Sequence, residues 1–147
     1  MSYQVRVTDV AARRTAVVAA TTTWQEFPAL WKELLDEVWA CLRAGGVYGG
    51  CRNVMLYRDD VPHVEVGVEL RQPCPLTGRV VASALPAGQT AMTIHRGPFT
   101  ALASAHRDVL DWCAEQGRRP VGPRWEVYGP HHDDPGELRT EIYYLLS

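Results

Sequence analysis

Arg124-Trp125-Glu126-Val127-Tyr128, a loop rich in histidine and aspartate, and then Leu138-Arg139-Thr140-Glu141-Ile142-Tyr143-Tyr144 read together as a β-hairpin. Aromatic and β-branched residues flank a stretch dense in turn formers, which is the hairpin signal. Period-2 geometry sends neighbouring side chains of a strand to opposite faces. Glu126 and Glu141 therefore each share a face with some of these aromatic and aliphatic residues. An ionised carboxylate in such surroundings is costly unless a cation, a hydrogen bond or a proton compensates it.

The hairpin has an earlier counterpart. Asn53 to Tyr57 reads as a strand, Arg58-Asp59-Asp60-Val61-Pro62 as a turn, and Val64, Val66, Val68 and Leu70 alternate on a return strand. Each hairpin follows a helix. In the first half, Thr23-Trp24-Gln25-Glu26 has the form of a capping box, with Pro28 allowing a start a residue or two later. Phe27, Trp31, Leu34, Leu35, Val38 and Leu42 form its apolar stripe, and Gly45-Gly46 stops it. In the second half, the spacing predicts a helix over about 99–116, with Leu102, His106, Val109, Leu110 and Cys113 on one stripe and Gly117 as the stop. Two strands, Gln4 to Asp9 and Thr15 to Thr22, precede the first helix.

Thr15-Ala16 and Thr90-Ala91, Asp36 and Asp111, and Val66 and Glu141 stand 75 positions apart (90 − 15, 111 − 36, 141 − 66). The chain thus reads as a strand pair, a helix and a hairpin used twice. Repeat one covers about 1–71 and repeat two about 80–147. The proline-rich stretch Gln72-Pro73-Cys74-Pro75-Leu76-Thr77-Gly78 lies in the linker between them, about 72–79. At 147 residues this fits a single domain, 1–147.

Composition narrows the function classes. With 46% hydrophobic and 22% charged residues the chain has a globular composition, and a formal charge of −2 leaves no basic footprint for nucleic acid or an anionic membrane. No apolar run is long enough to span a membrane and no signal core follows the N-terminus, so the expected location is cytoplasmic. Cys41, Cys51, Cys74 and Cys113 form no C-x-x-C pair and read as free thiols. His131-His132-Asp133-Asp134 reads as a solvated turn, since adjacent loop residues rarely converge on one ion. No metal and no cofactor are expected. No nucleophile elbow, P-loop or dinucleotide fingerprint is present.

Four motifs in order, Leu85-Pro86-Ala87-Gly88, His95-Arg96-Gly97-Pro98-Phe99, Trp125-Glu126-Val127-Tyr128 and Arg139-Thr140-Glu141-Ile142-Tyr143, give the chain its resemblance to the GyrI-like small-molecule-binding domain. That module also serves some AraC- and MerR-type transcription regulators as an effector-binding domain. The resemblance implies an α+β fold of two pseudo-symmetric β-α-β-β repeats, forming a largely antiparallel sheet with two helices and a central ligand groove. It also implies multidrug-type binding of lipophilic cations on a buried glutamate, which by motif position is Glu126, with Tyr143 the matching tyrosine. The chain starts at the first strand, so a stand-alone form without a helix-turn-helix is expected, making no direct contact with nucleic acid.

Glu126 takes the place held by Met55 in the first repeat. From the residues alone it is either a structural carboxylate paired with Arg139 or Arg124, or a ligand anchor. Glu141 is a second candidate, with Val66 as its counterpart. Met55, Tyr57, Tyr128, Tyr143, Trp39 and Trp125 are candidate ligand contacts, because binding pockets are mostly apolar with few polar groups. His106, on the helix stripe, reads as a core histidine. The leading expectation is a binder of small hydrophobic or cationic compounds, with any protein partner unknown. The alternatives are a hydrolase opening strained rings such as cyclopropane-bearing cytotoxins, with Glu126 and Tyr143 catalytic, and an interaction role like that of the family's DNA-gyrase inhibitor.

Overall fold

The computed structural model describes residues 3–147. Along the chain run β1 (Arg6–Val10), β2 (Arg13–Thr21), α1 (Phe27–Ala44), β3 (Asn53–Tyr57), β4 (His63–Glu69), β5 (Val81–Leu85), β6 (Gly88–Arg96), α2 (Leu102–Glu115), β7 (Pro120–Tyr128) and β8 (Arg139–Leu146). The eight strands form one antiparallel sheet in the order β1-β6-β8-β7-β3-β4-β2-β5. Two equivalent halves, β2-α1-β3-β4 and β6-α2-β7-β8, meet where β3 pairs with β7. This is the α+β architecture of two pseudo-symmetric repeats.

The helices start and stop for local reasons. Thr23 closes a turn before α1, its Oγ1 accepting from Glu26 N at 3.0 Å and its carbonyl from Phe27 N at 2.9 Å, so the helix begins at Phe27 with Pro28 in the first turn. It ends at Gly45, after which Gly46 takes φ +91° and Val47 N returns to Leu42 O at 2.9 Å. Phe27, Leu34, Val38 and Leu42 are its buried stripe. In α2 the buried stripe is Leu102, Ala105, Val109 and Cys113. Leu110, expected on that stripe, is 44% exposed, and Ala105 holds the inward position instead. No helix among the described residues is long and apolar enough to cross a membrane.

The outer strands are exchanged between the halves. β1 precedes the first half in the chain but pairs with β6, while β5 precedes the second half but pairs with β2. In a flat sheet β1 and β2 would lie six strand spacings apart, about 29 Å. The chain from Val10 to Arg13 reaches at most about 11 Å. The sheet must therefore curl until its two edges meet at the corner formed by Val10–Arg13 and Leu85–Gly88. Inside the curl, Val54, Leu56, Leu85, Met92, Trp125, Val127 and Tyr143 pack together, partly covered by Val10 and Leu145. On the convex side α1 packs on β2 and β4, and α2 packs mainly on β6. The middle strands β3 and β7 are left between the helices as the floor of a groove.

The register also fixes which positions of the repeats correspond. Val66 lies between Val18 and Met55, and in the second half Ile142 lies between Thr93 and Glu126. Ile142, one residue beyond the expected Glu141, is thus the counterpart of Val66. Glu141 corresponds to Glu65, which lies between Ala19 and Leu56 as Glu141 lies between Ile94 and Val127. Glu141 is therefore not a departure from an apolar counterpart. A one-residue slip in a strand exchanges its faces, which is why the corrected register matters for function.

Gly67 records how closely β4 and β2 approach. A Cβ at this position would lie 1.9 Å from the Ala16 carbonyl oxygen, which is backbone and has no room to yield. Gly67→Ala is expected to destabilise the fold by about 3 kcal/mol, measured by thermal denaturation as a fall in Tm of roughly 6–12 °C.

Candidate functional site

Arg124, Glu126 and Tyr128 occupy alternate positions of β7, and Met55 and Tyr57 do so on β3. Met55 is directly opposite Glu126, and Tyr57 opposite Arg124. All five side chains lie on the helix-bearing face. Phe27, Trp31 and Leu35 form one wall, Phe99 and Leu102 the other, and Leu138 and His131 of the β7–β8 hairpin close one end. These residues enclose a cavity of about 400 Å³ that reaches Met55, Tyr57, Glu126 and Tyr128. A second cavity of about 320 Å³, lined by Trp24, Ala103, His106, Arg124 and Tyr144, adjoins it, and the two share Tyr57, Leu102 and Glu126. Glu126 thus stands where the two spaces meet. Clefts of about 500 Å³ at the sheet edges, beside Arg14 and Arg71 and beside Arg6 and Arg96, gather no comparable set of groups.

Glu126 is only 5% exposed, so its carboxylate has to be satisfied by protein groups. Oε1 accepts from the Tyr57 hydroxyl at 3.1 Å and from the Tyr128 hydroxyl. Oε2 lies 2.6 Å from His106 Nε2, and His106 Nδ1 lies 2.7 Å from the Tyr144 hydroxyl. With Glu126 ionised, His106 Nε2–H donates to it. Nδ1 then accepts from Tyr144 when the ring is neutral and donates to it when the ring is protonated.

The tyrosines around this carboxylate are held as phenols. Burial, followed by the Glu126 charge, raises the pKa of Tyr57 and Tyr128 well above the ordinary tyrosine value. Burial pushes Tyr144 up to about 12, opposed by the Arg124 guanidinium. Outside the carboxylate, Trp24 tilts against Tyr57 with ring centroids 5.4 Å apart, and the Arg124 guanidinium carbon sits 5.4 Å from the Trp24 ring. Phe99 meets Tyr128 edge to face at 5.3 Å.

The candidates read from the sequence divide between the two faces of the sheet. Glu126, Met55, Tyr57 and Tyr128 come together in the groove. Tyr143, Trp125 and Glu141 do not, because odd-numbered positions of β7 and β8 point into the curl. Tyr143 stacks on Trp125 with centroids 5.4 Å apart and donates to Glu141 Oε1 at 2.6 Å. Glu141 is in turn paired with Arg52 at 2.9 Å. The expected pairing of Tyr143 with Glu126 is therefore corrected: the sheet lies between them, and Tyr57, Tyr128 and Tyr144 are the tyrosines of the carboxylate network.

Trp39 also falls outside the site, lining neither cavity; its Nε1 donates to Asn53 Oδ1 at 2.8 Å and Arg43 covers its ring. The structural ion pairs considered for Glu126 do not form, since Arg124 bonds Asp60 at 2.6 Å and Arg139 makes no ion pair with Glu126. His106 is the main residue that the sequence reading assigned elsewhere. Its signal was a polar side chain on an otherwise apolar stripe, 75 positions (106 − 31) beyond Trp31. Among the described residues, no group of three or more His, Cys, Asp or Glu is placed to hold a metal ion.

A family model described as the GyrI-like small molecule binding domain matches residues 3–146. Among curated proteins none matches in sequence. Among solved structures the chain is similar to the C-terminal domain of EcmrR, at 18% identity and TM-score 0.77, covering 100% of this chain and 99% of that one. It is similar to SAV2435 bound to tetraphenylphosphonium, at 15% identity and TM-score 0.68, covering 100% and 94%. A hydrolase from Listeria innocua aligns at 14% identity and TM-score 0.60, covering 99% and 93%. At these identities the likeness is one of fold.

The raised Tyr144 pKa has a measurable consequence. The folded state holds this proton more tightly than the unfolded chain, so the contribution to stability is complete below about pH 10 and is lost as pH rises towards 12. Urea denaturation across this window is expected to show stability falling with pH. The fall should be shallower in Tyr144→Phe, which has no phenol to ionise.

Proposed function

Because the chain belongs to the GyrI-like small-molecule-binding domain family, we propose that the groove between α1 and α2 takes up amphipathic aromatic cations and that Glu126 is their anchor. The observation that carries this reading is the kind of partner Glu126 has. Among the described residues its carboxylate is bonded by phenols and an imidazole, and by no lysine or arginine. Phenol hydrogen bonds stabilise the negative charge without cancelling it. With His106 neutral, the charge remains available to an incoming cation, at about 4 kcal/mol for a contact of ~4 Å in a partly screened site.

The lining decides which cations suit. Phe27, Trp31, Met55, Phe99 and Tyr128 offer ring faces and apolar surface, but few oxygen atoms to replace the water around a small ion. A cation whose charge is spread over or shielded by hydrocarbon gives up little hydration and gains contact with the rings. SAV2435, which shares this fold, has been solved with such a cation, tetraphenylphosphonium, and this supports the same ligand class here.

Catalysis is a second reading, favoured by one observation: His106 links Glu126 to Tyr144 at the cavity wall. In that reading Tyr144, which lines the smaller cavity, passes its phenol proton to Nδ1 of neutral His106 as it takes one from the attacking water, and Glu126 stabilises the imidazolium. Tyr57 or Tyr128 turns from Glu126 to donate to the oxygen that becomes negative as a strained electrophilic ring opens, and the proton returns through Tyr144 to the opened product. Tyr143 has no part in it, being across the sheet. Mass spectrometry of such a compound after incubation separates the readings, because a hydrolase yields the water adduct and a binder returns the compound unchanged.

Titration of tryptophan fluorescence with tetraphenylphosphonium tests the anchor. Saturable quenching is expected, weakened about 10- to 100-fold in Glu126→Gln, which is about 1.4–2.8 kcal/mol. Tyr143→Phe, altered only inside the curl, should bind like the parent. Binding indifferent to Glu126→Gln would overturn the anchor role.

A further inference from the structure

The smaller of the two cavities differs chemically from the larger one. Where the larger is walled mostly by rings and aliphatic groups, with Asn53, His131 and the Glu126 network as its polar part and no arginine or lysine, the smaller contains Arg124, whose side chain is 14% exposed. The guanidinium donates from Nη1 to the Gly122 carbonyl at 3.2 Å and from Nη2 to Asp60 Oδ1 at 2.6 Å. A guanidinium has five N–H donors, so most of its capacity is left over. Its acidic partner is poorly placed to use it. The Asp60 side chain is 90% exposed and belongs to the β3–β4 turn, whose Asp60 carbonyl accepts from Trp24 Nε1 at 3.1 Å. Trp24 lies over the guanidinium, and Tyr57 and Tyr144 line the same space.

Arg124 and Glu126 are two residues apart on β7 and point to the same face, which sets them about 7 Å apart along the strand. One floor thus carries an anion and a cation side by side, the anion shared by both cavities and the cation confined to the smaller. We infer that the smaller cavity is a carboxylate subsite. The preferred ligands are then aromatic zwitterions, whose cationic group meets Glu126 and whose carboxylate meets Arg124. This rests on the reading of Glu126 as the cation anchor.

The physical basis is an exchange of carboxylates. An ion pair with a well-solvated partner is weak, because water competes for both charges. A ligand carboxylate entering beneath Trp24 replaces the exposed Asp60 oxygen with one in less water and in reach of a planar fork of donors, where bidentate contact is strong. Asp60 is freed into solvent on its turn. The other charged or titratable groups facing the cavity are Glu126, which holds the opposite end of the ligand, His106, which Glu126 and Tyr144 already occupy, and the phenols of Tyr57 and Tyr144.

Rhodamine B and rhodamine B ethyl ester form a matched pair: both carry the same aromatic cation, and only the first carries a free carboxylate. Fluorescence anisotropy is expected to show rhodamine B bound about tenfold more tightly than its ester by the parent protein. Arg124→Gln should abolish that preference, and Asp60→Asn, which removes the competing carboxylate, should increase rhodamine B affinity several-fold. Circular dichroism would establish that each variant is folded. Equal affinity for acid and ester, or a preference that survives Arg124→Gln, overturns the subsite while leaving the anchor intact if Glu126→Gln still weakens the ester. Absence of binding by either dye overturns the inference; the anchor falls with it only if tetraphenylphosphonium also fails to bind or binds Glu126→Gln like the parent.

Discussion

Two short connections determine the shape of this molecule. The chain passes from β1 to β2 through Ala11 and Ala12, and from β5 to β6 through Pro86 and Ala87, although each pair of strands lies in opposite halves of the sheet. Only a curled sheet brings those ends together. Curling has opposite effects on the two faces: the concave side closes over its own apolar residues, burying Val54, Leu56, Trp125 and Val127 without help from a helix. The convex side spreads, so that α1 and α2 each cover their own half and leave the middle open. The groove is therefore a consequence of connectivity, since a flat sheet of the same strands would have neither the buried concave core nor the separation between helices.

The open middle is where a buried carboxylate is tolerated. Its satisfaction draws on both halves and on four elements: Tyr57 from β3, Tyr128 from β7, His106 from α2, and Tyr144 from β8 acting through His106. An unsatisfied buried carboxylate would be strongly destabilising. A carboxylate satisfied by arginine would be stable but electrically spent. The glutamates inside the curl illustrate that second condition, since Glu69 and Glu141 share Arg52 and Glu65 bonds Arg58 Nε at 2.6 Å. Glu126 differs from them in being bonded by phenols and an imidazole, which leave its charge uncancelled as long as His106 is neutral, and this difference is what makes the groove a candidate site for cations.

Much of this organisation was legible in the sequence because it rests on periodicity. The two hairpins, both helices, the doubled plan and the substitution of Glu126 for Met55 follow from alternation and helical spacing. The face of Tyr143 was not legible to the same degree. The first return strand has valines at 64, 66 and 68, while the second has Ile142, Tyr144 and Leu146 facing the helices and aromatic Tyr143 facing the curl. An aromatic at every position from 143 to 144 blurs the alternation, and a longer second hairpin loop lets the alignment slip by one. His106 was misjudged for a different reason. A histidine on an apolar helical stripe has the same sequence pattern whether it packs in a core or meets a carboxylate brought by a strand 20 positions (126 − 106) further on. Trp39 follows the same logic in reverse, its ring being held by Arg43 and by Asn53, which lines the larger cavity while Trp39 lines neither.

The doubled plan also explains the amphipathic character of the groove. Buried positions of the two helices correspond at a spacing of 75: Phe27 with Leu102, Leu34 with Val109, and Val38 with Cys113. By the same spacing Trp31 corresponds to His106, and on the strands Met55 corresponds to Glu126 and Val68 to Tyr144. Tyr57 and Tyr128 are equivalent, and both reach the same oxygen, Oε1 of Glu126. The pseudo-twofold axis therefore runs between an apolar set, Met55, Trp31 and Val68, and a polar set, Glu126, His106 and Tyr144. The difference between the halves puts a polar network on one side of a single groove and its apolar counterpart on the other. A ligand with its charge at one end and rings at the other matches that division. A uniformly polar molecule would leave the Met55 and Trp31 side uncovered, and a uniformly apolar one would bury the Glu126 carboxylate without an opposing charge.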